Sequence, residues 1–299
     1  MNYATTALVL STAVVTDAAG LGDGLWRTFG HQTALPLTTK EALADRWVAV
    51  TGCEPDLGIL YAQEKSGPSE KHPLGLRFTS SGKIAGVQAT VFGSNRQVGD
   101  AAQMNLIERG YWKPTANSTK TWHMDISFRG SEDMCSQNSR SEELLGDRVV
   151  INQDTIKQEI PLTVKDAVSQ NWTPGSCMAS MGWHHFYDLK TAPAQSFKED
   201  QILPIVPMYN PPDSTGVLNA FFFTSPFSQP GSGTRYLLNG AADWESPALI
   251  EKAMCLNWCD ESCKFETSSW ATMHIYLSSA WETLTCPHGS GPVGRSCEL

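Results

Sequence analysis

"LPLTTKEALADRW" (Leu35 to Trp47) and "IPLTVKDAVSQNW" (Ile160 to Trp172) are two stretches of thirteen residues with nearly one spelling. Both carry Pro-Leu-Thr, then a Lys, an acidic residue and Ala at matching offsets (Lys40, Glu41, Ala42 against Lys165, Asp166, Ala167), and both end on Trp. The pattern predicts a short amphipathic helix in each. Thr38 or Thr39, and Thr163, supply N-cap oxygens, the acidic residue sits in the first turn where the helix dipole favours it, and Ala42, Leu43 and Trp47 make an apolar stripe.

The match runs on beyond the helices. Cys53 leads to Gly58 as Cys177 leads to Gly182; "HPLGLRF" (His72 to Phe78) answers "LPIVPMY" (Leu203 to Tyr209); and "GVQATVF" (Gly86 to Phe92) answers "GVLNAFF" (Gly216 to Phe222). The intervening "TSSGKIA" and "NPPDST" hold the Gly, Pro, Asn and Asp that tight connections require. "TWHMDISFRGSEDMC" (Thr121 to Cys135) and "TMHIYLSSAWETLTC" (Thr272 to Cys286) then share Thr, His and Cys at the same offsets, which aligns His123 with His274. Alternating apolar residues after each His predict half-buried strands.

The expected fold is α+β and predominantly antiparallel β: two tandem homologous repeats, each a helix plus an antiparallel sheet, packed about a pseudo-twofold axis and stabilised by disulfides. Repeat 1 covers 35–135, a polar link 136–159, repeat 2 160–286 with a Cys-rich insertion near 245–268, and a tail 287–299. A four-stranded unit alone leaves a wide apolar sheet face uncovered, so the repeats are expected to form one compact body.

Eight cysteines fit an oxidising compartment. The duplication pairs Cys53 and Cys135 with Cys177 and Cys286, one disulfide per repeat, with exchange between repeats as the alternative. Cys255, Cys259, Cys263 and Cys297 form a separate group whose connectivity the spacing leaves open. Thiolate ligation of zinc or an iron-sulfur cluster is the other reading of that group, and its spacing fits no familiar cluster signature. "ATTALVLSTAVV" (Ala4 to Val15) followed by "TDA" reads as a signal peptide over residues 1–18, although "MNY" lacks the usual basic residue and a buried N-terminal strand is the alternative. Sequons at Asn117-Ser118-Thr119 and Asn171-Trp172-Thr173 agree with a secreted glycoprotein.

A net charge of −9 and the absence of Lys/Arg runs argue against nucleic acid or an anionic membrane as partner. The apolar N-terminal stretch is too short to span a bilayer, so no integral membrane segment is expected. No P-loop, Gly-x-Ser-x-Gly elbow, His-Glu-x-x-His helix or dinucleotide fingerprint occurs, and no nucleotide cofactor is expected. The sequence sets no oligomeric state.

Four histidines carry the functional expectation. On the Thr121 strand, alternation puts His123, Asp125 and Ser127 opposite Trp122, Met124, Ile126 and Phe128; on the Thr272 strand it puts Thr272, His274 and Tyr276 opposite Met273, Ile275 and Leu277. "GWHHFYD" adds His184 and His185, on opposite sides of a strand, with Tyr187 and Asp188 following. Their counterparts are Leu60 and Tyr61, so the pair occurs in one repeat only. His31, His72 and His288 read as surface residues.

If His123, His274 and one of His184 and His185 converge, they suit Zn or Cu, which imidazoles bind in threes. They equally suit general acid-base work, with Asp125, Asp188 and Tyr276 as further catalytic candidates. A structural role, each imidazole bonded to backbone or carboxylate, is the competing expectation. Ten tryptophans, several beside these His residues, could line a pocket for a flat ligand. The expected function is a secreted small-molecule-binding protein with an aromatic and His-lined cavity. The alternative is a secreted His- or metal-dependent hydrolase or oxidoreductase using His184, His185, His274 and possibly His123.

Overall fold

In the computed structural model the described residues are 21–28, 32–64, 73–92, 101–115, 121–137, 143–189, 203–211, 216–228, 236–238, 241–244, 254–255 and 270–286. The expected signal peptide, the Asn117 sequon, His31, His72, His288, Cys259, Cys263, Cys297 and the tail lie outside them.

Thr38 caps the first repeated stretch as expected: its Oγ1 accepts from the Glu41 amide at 3.2 Å while Glu41 Oε2 accepts from the Thr38 amide at 3.0 Å. This capping box starts helix α1 (Thr39–Ala44). Thr163 Oγ1 likewise accepts from the Asp166 amide at 3.1 Å and starts α4 (Val164–Ser169), with α2 (Ala101–Glu108) and α3 (Ser131–Met134) between them. Each capped helix ends in a left-handed residue, Arg46 (φ 59°) or Asn171 (φ 65°), which turns the chain into a strand beginning at a buried Trp. The apolar stripe is narrower than expected. Ala42 and Trp47 are buried, but Leu43, one residue and thus about 100° further round α1, is 60 % exposed, as Val168 on α4 is at 55 %.

The strands in chain order are β1 (Trp26–Thr28), β2 (Thr33–Ala34), β3 (Trp47–Ala49), β4 (Ile59–Gln63), β5 (Leu74–Phe78), β6 (Ile84–Phe92), β7 (Lys113–Pro114), β8 (Thr121–Ser127) and β9 (Val149–Gln153). They continue with β10 (Ile156–Ile160), β11 (Trp172–Met178), β12 (Gly182–Tyr187), β13 (Ile205–Tyr209), β14 (Leu218–Ser228), β15 (Tyr236–Leu238), β16 (Ala241–Trp244) and β17 (Trp270–Tyr276). A front sheet runs β10-β9-β8-β6-β5-β4-β3, with β7 beside β8; a back sheet runs β11-β12-β13-β14-β17-β1-β2; β15 and β16 form a small ribbon. Pairing is antiparallel throughout both sheets. The chain is thus predominantly antiparallel β with a few short helices.

Alternation commits one face of each sheet to a shared core. Phe78, Val87, Met124, Ile126 and Phe128 of the front sheet and its β8 exit join Tyr209, Phe221, Phe223, Met273 and Ile275 of the back sheet in one buried cluster. Phe128 meets Phe221 edge-on across the gap, their ring centroids 6.4 Å apart. The short hairpin β1–β2 lies at the edge of the back sheet, where Trp26 pairs with Tyr276, and the hairpin β9–β10 lies at the edge of the front sheet.

Two disulfides close the expected loops, Cys53–Cys135 and Cys177–Cys286, each with Cα atoms 5.8 Å apart. Cys255 is also disulfide-bonded, and among the described residues there is no free thiol. Replacing Cys53 and Cys135 together by Ala should lower the unfolding free energy by about 2–5 kcal/mol, read as the free energy extrapolated to water from denaturant unfolding, with m rising as the freed denatured chain expands.

Candidate functional site

The two outer faces, turned away from the shared core, differ in chemistry. On the front sheet, antiparallel register sets Gln88 opposite Asp125 and Thr90 opposite His123. Asp125 is 1 % exposed. Its Oδ1 accepts from Arg77 Nε at 2.9 Å and Gln88 Nε2 at 3.0 Å, and Arg77 also reaches Glu54 Oε1 at 2.8 Å. The loop from Cys53 to Gly58 folds over this face, the Asp56 carbonyl accepting from Asn152 Nδ2 at 2.7 Å, while Asn152 also donates to Ser127 Oγ at 2.9 Å. His123 stands at the margin with its side chain 23 % exposed, Nε2 lying 3.8 Å from Asp125 Oδ2 and Nδ1 3.4 Å from Thr115 Oγ1. Burial, partly opposed by Asp125, lowers the His123 pKa and keeps the ring neutral at pH 7.

On the back sheet the outer face is aromatic. Register places His184 opposite Met208, Met208 opposite Ala220, and Ala220 opposite Tyr276. The adjoining row holds Val206, Phe222 and His274. Phe222 therefore stands between two imidazoles, its ring centroid 5.9 Å from His184 and 5.0 Å from His274. His274 in turn lies nearly parallel to Tyr276, at 6.5 Å and 28°. Met178, Leu189, Met254 and Cys255 cover this face and bury it as a second apolar cluster with Phe186 and Met208. Ser176 Oγ donates to the Cys255 carbonyl, holding the cover to β11. His184 Nδ1 lies 3.1 Å from the Ser176 carbonyl. Burial first, and the neighbouring His274 second, push the His184 imidazole down to about 3.

His185 points the other way, as the alternation of β12 requires. It enters the shared core, where its ring meets Tyr209 edge-on at 4.8 Å, Nδ1 lies 3.1 Å from the Trp183 carbonyl, and Nε2 is buried without a hydrogen-bond partner. Burial pushes it down to about 4. The structure thus brings together His184, His274 and Tyr276, leaves Asp125 with His123 on the opposite sheet, and gives His185 a place in the core. Asp188 lies past the end of β12 in a left-handed conformation (φ 50°), its amide donating to the Asn171 carbonyl at 2.9 Å. Among the described residues no three His, Cys, Asp or Glu side chains gather as a metal site would need. Trp122 packs against the main core rather than lining a site.

Sequence reasoning singled out His123 and Asp125 but missed their partners Arg77 and Gln88, which sit on other strands; a buried Arg in an otherwise apolar strand, "LGLRF", was the available signal. Phe222 was missed too, hidden in the uniformly apolar "FFF". Neither a family model, a curated protein nor a solved structure matches the chain, so its chemistry is read from its own side chains.

The buried imidazoles set a pH dependence. In the unfolded chain both protonate below about pH 6.5, whereas in the fold His185 and His184 stay neutral down to about 4 and about 3. Unfolding takes up protons in that window, so their contribution is complete above pH 6.5 and declines as pH falls, by about 1.4 kcal/mol per pH unit for each proton. His185→Phe keeps a ring against Tyr209 and removes one of those protons. Its urea midpoint should fall less than that of the parent protein between pH 7 and pH 5.

Proposed function

We propose that this is a secreted small-molecule-binding protein whose ligand contacts His184, Phe222, His274 and Tyr276 on the outer face of the back sheet. One observation carries the reading: two imidazoles flank a single Phe ring on a face that the chain covers with its own residues instead of leaving to solvent. Imidazole edges supply hydrogen bonds and aromatic walls supply apolar contact, the usual lining of a small-molecule site. The two disulfides are compatible with secretion, and no helix among the described residues is long and apolar enough to cross a membrane. Asn171 of the second sequon is exposed in its turn, open to glycosylation.

The architecture behind this site is, in our reading, an internal duplication about a pseudo-twofold axis, and its limits reach upstream of the helices. Leu21-Gly22-Asp23 precedes β1 as Leu145-Gly146-Asp147 precedes β9. Gly22 (φ 133°) and Gly146 (φ 120°) each sit so that a Cβ would fall 2.0 Å from a carbonyl, that of Leu277 or Phe128, a place only glycine can take. Each unit would then lend its opening hairpin to the other's sheet, β1–β2 to the back and β9–β10 to the front, with strands otherwise in one order. Gly82, rather than Gly86, is the better counterpart of Gly216: the Gly82 carbonyl accepts from the Thr39 amide at 2.9 Å and the Gly216 carbonyl from the Val164 amide at 2.8 Å. Carried through the ladders, this pairs His274 with Asp125 and Thr272 with His123, two residues away from the alignment by letters.

A second reading, a His-dependent hydrolase, is favoured by the partly exposed margin of the front face, where His123 lies between Thr115 and Asp125. In that reading His123→Ala would abolish turnover of a model ester such as p-nitrophenyl acetate.

For the binding reading, uncharged aromatic fragments such as indole and phenol are screened by ligand-observed NMR. Binding fragments should lose affinity by about tenfold or more, on the order of 1.4 kcal/mol, in His184→Ala or His274→Ala, and keep it in His123→Ala. Binding indifferent to both back-sheet variants would overturn the assignment.

A further inference from the structure

Beside His274 and Phe222, the same outer face holds a pair of hydroxyls without a hydrogen-bond partner among the described residues. Thr224 and Thr272 stand directly opposite each other across β14 and β17, each 1 % exposed, and the Oγ1 of each has no hydrogen-bond partner. Thr224 is two residues from Phe222 and Thr272 two from His274, so alternation puts all four on one face. A buried hydroxyl without a partner is uncommon in a native interior, and two side by side ask for an explanation. Each can donate one hydrogen bond and accept others, so the pair presents a short edge that can bond to a neighbouring donor and acceptor together.

Charge is the second constraint. The side chains gathered here are His184, Phe186, Met208, Phe222, Thr224, Thr272, His274 and Tyr276, with Met254 and Cys255 above them. None is a carboxylate, an ammonium or a guanidinium. An ionised ligand group would lose its water with no opposite charge among the described residues to replace it. The front sheet has answered the same place differently. At the positions paired above with Phe222 and His274 it carries Gln88 and Asp125, bonded to each other and to Arg77, and its Thr90 faces His123 in place of a second Thr. That face fills itself with its own ions and amides.

Resting on the binding reading above, we infer that the ligand is an uncharged, flat molecule carrying an adjacent donor and acceptor, of the carboxamide type, held by Thr224 and Thr272, and that each chain takes one.

Three probes of one shape separate the possibilities at pH 7: benzamide, neutral; benzoate, anionic; and benzamidinium, cationic. Titration calorimetry and ligand-observed NMR on the full chain should show benzamide binding one per chain, with benzoate and benzamidinium weaker by about tenfold or more, as an unpaired buried charge demands. Thr224→Val and Thr272→Val keep the side-chain shape and remove a hydroxyl that has no hydrogen-bond partner among the described residues, so each should fold with an unchanged or raised Tm while weakening benzamide by about tenfold. Benzoate or benzamidinium binding as tightly as benzamide, still sensitive to Thr272→Val, would overturn the uncharged class and leave the site standing. Benzamide lost in His274→Ala but unaffected by both Val variants would overturn the role of the hydroxyls alone. Two benzamides per chain would refute the single site, and no binding of any probe by a chain that still binds the aromatic fragments of the preceding screen would refute the carboxamide class. If those fragments fail as well, the binding reading falls with it.

Discussion

Everything in this chain depends on two antiparallel sheets sharing one core through the inner face of each. Phe128 against Phe221 marks where they meet, and Met124, Ile126, Met273 and Ile275 are fully buried on that side, where apolar burial stabilises the fold. Because a strand shows alternate residues to alternate faces, committing one face to the core leaves the other with whatever the odd positions hold. The front sheet's odd positions hold ions and amides that satisfy one another. The back sheet's hold rings, thioethers and hydroxyls, which need a cover, and the chain supplies one in Met178, Leu189, Met254 and Cys255.

The contrast matters for how each face behaves energetically. A buried ion pair such as Arg77 with Asp125 adds little net stability over well-packed apolar residues, but removing one partner leaves a charge stranded without water. The front face is therefore intolerant of single changes at this pair. On the back face the hydroxyls of Thr224 and Thr272 are buried without a hydrogen-bond partner among the described residues, and His184 is held neutral by burial.

Much of this was legible from local pattern. Thr38 and Thr163 announced the two helix starts, the matched cysteines narrowed the pairing to two alternatives of which the one within each matched stretch is observed, and the alternation in "WHMDISF" separated core residues from outer-face residues correctly. Local pattern does not reach across strands. The partners of Asp125 lie on β5 and β6, and only sheet register joins them. The expected meeting of His123 with His274 put on one surface two residues that lie on different sheets, because a match of letters carries no information about which face of which sheet a strand will join. Leu43 misled for a simpler reason: a six-residue helix has too few turns to define a stripe, and one step of rotation separates core from solvent.

The placement of β1 bears on how the molecule is made. Trp26 pairs with Ala34 on one side and Tyr276 on the other, so one edge of β1 has its hairpin partner at once while the other waits for a strand made much later in the chain. At a synthesis rate of about 5–20 residues per second, that wait runs to ten seconds or more. Meanwhile the front sheet, whose β3 to β10 follow one another closely, can form and take Cys53–Cys135 while the edge of β17 does not yet exist. Closure of the back sheet is thus the step most exposed to mispairing, since an open edge accepts any strand offered to it, including the same hairpin from another nascent copy.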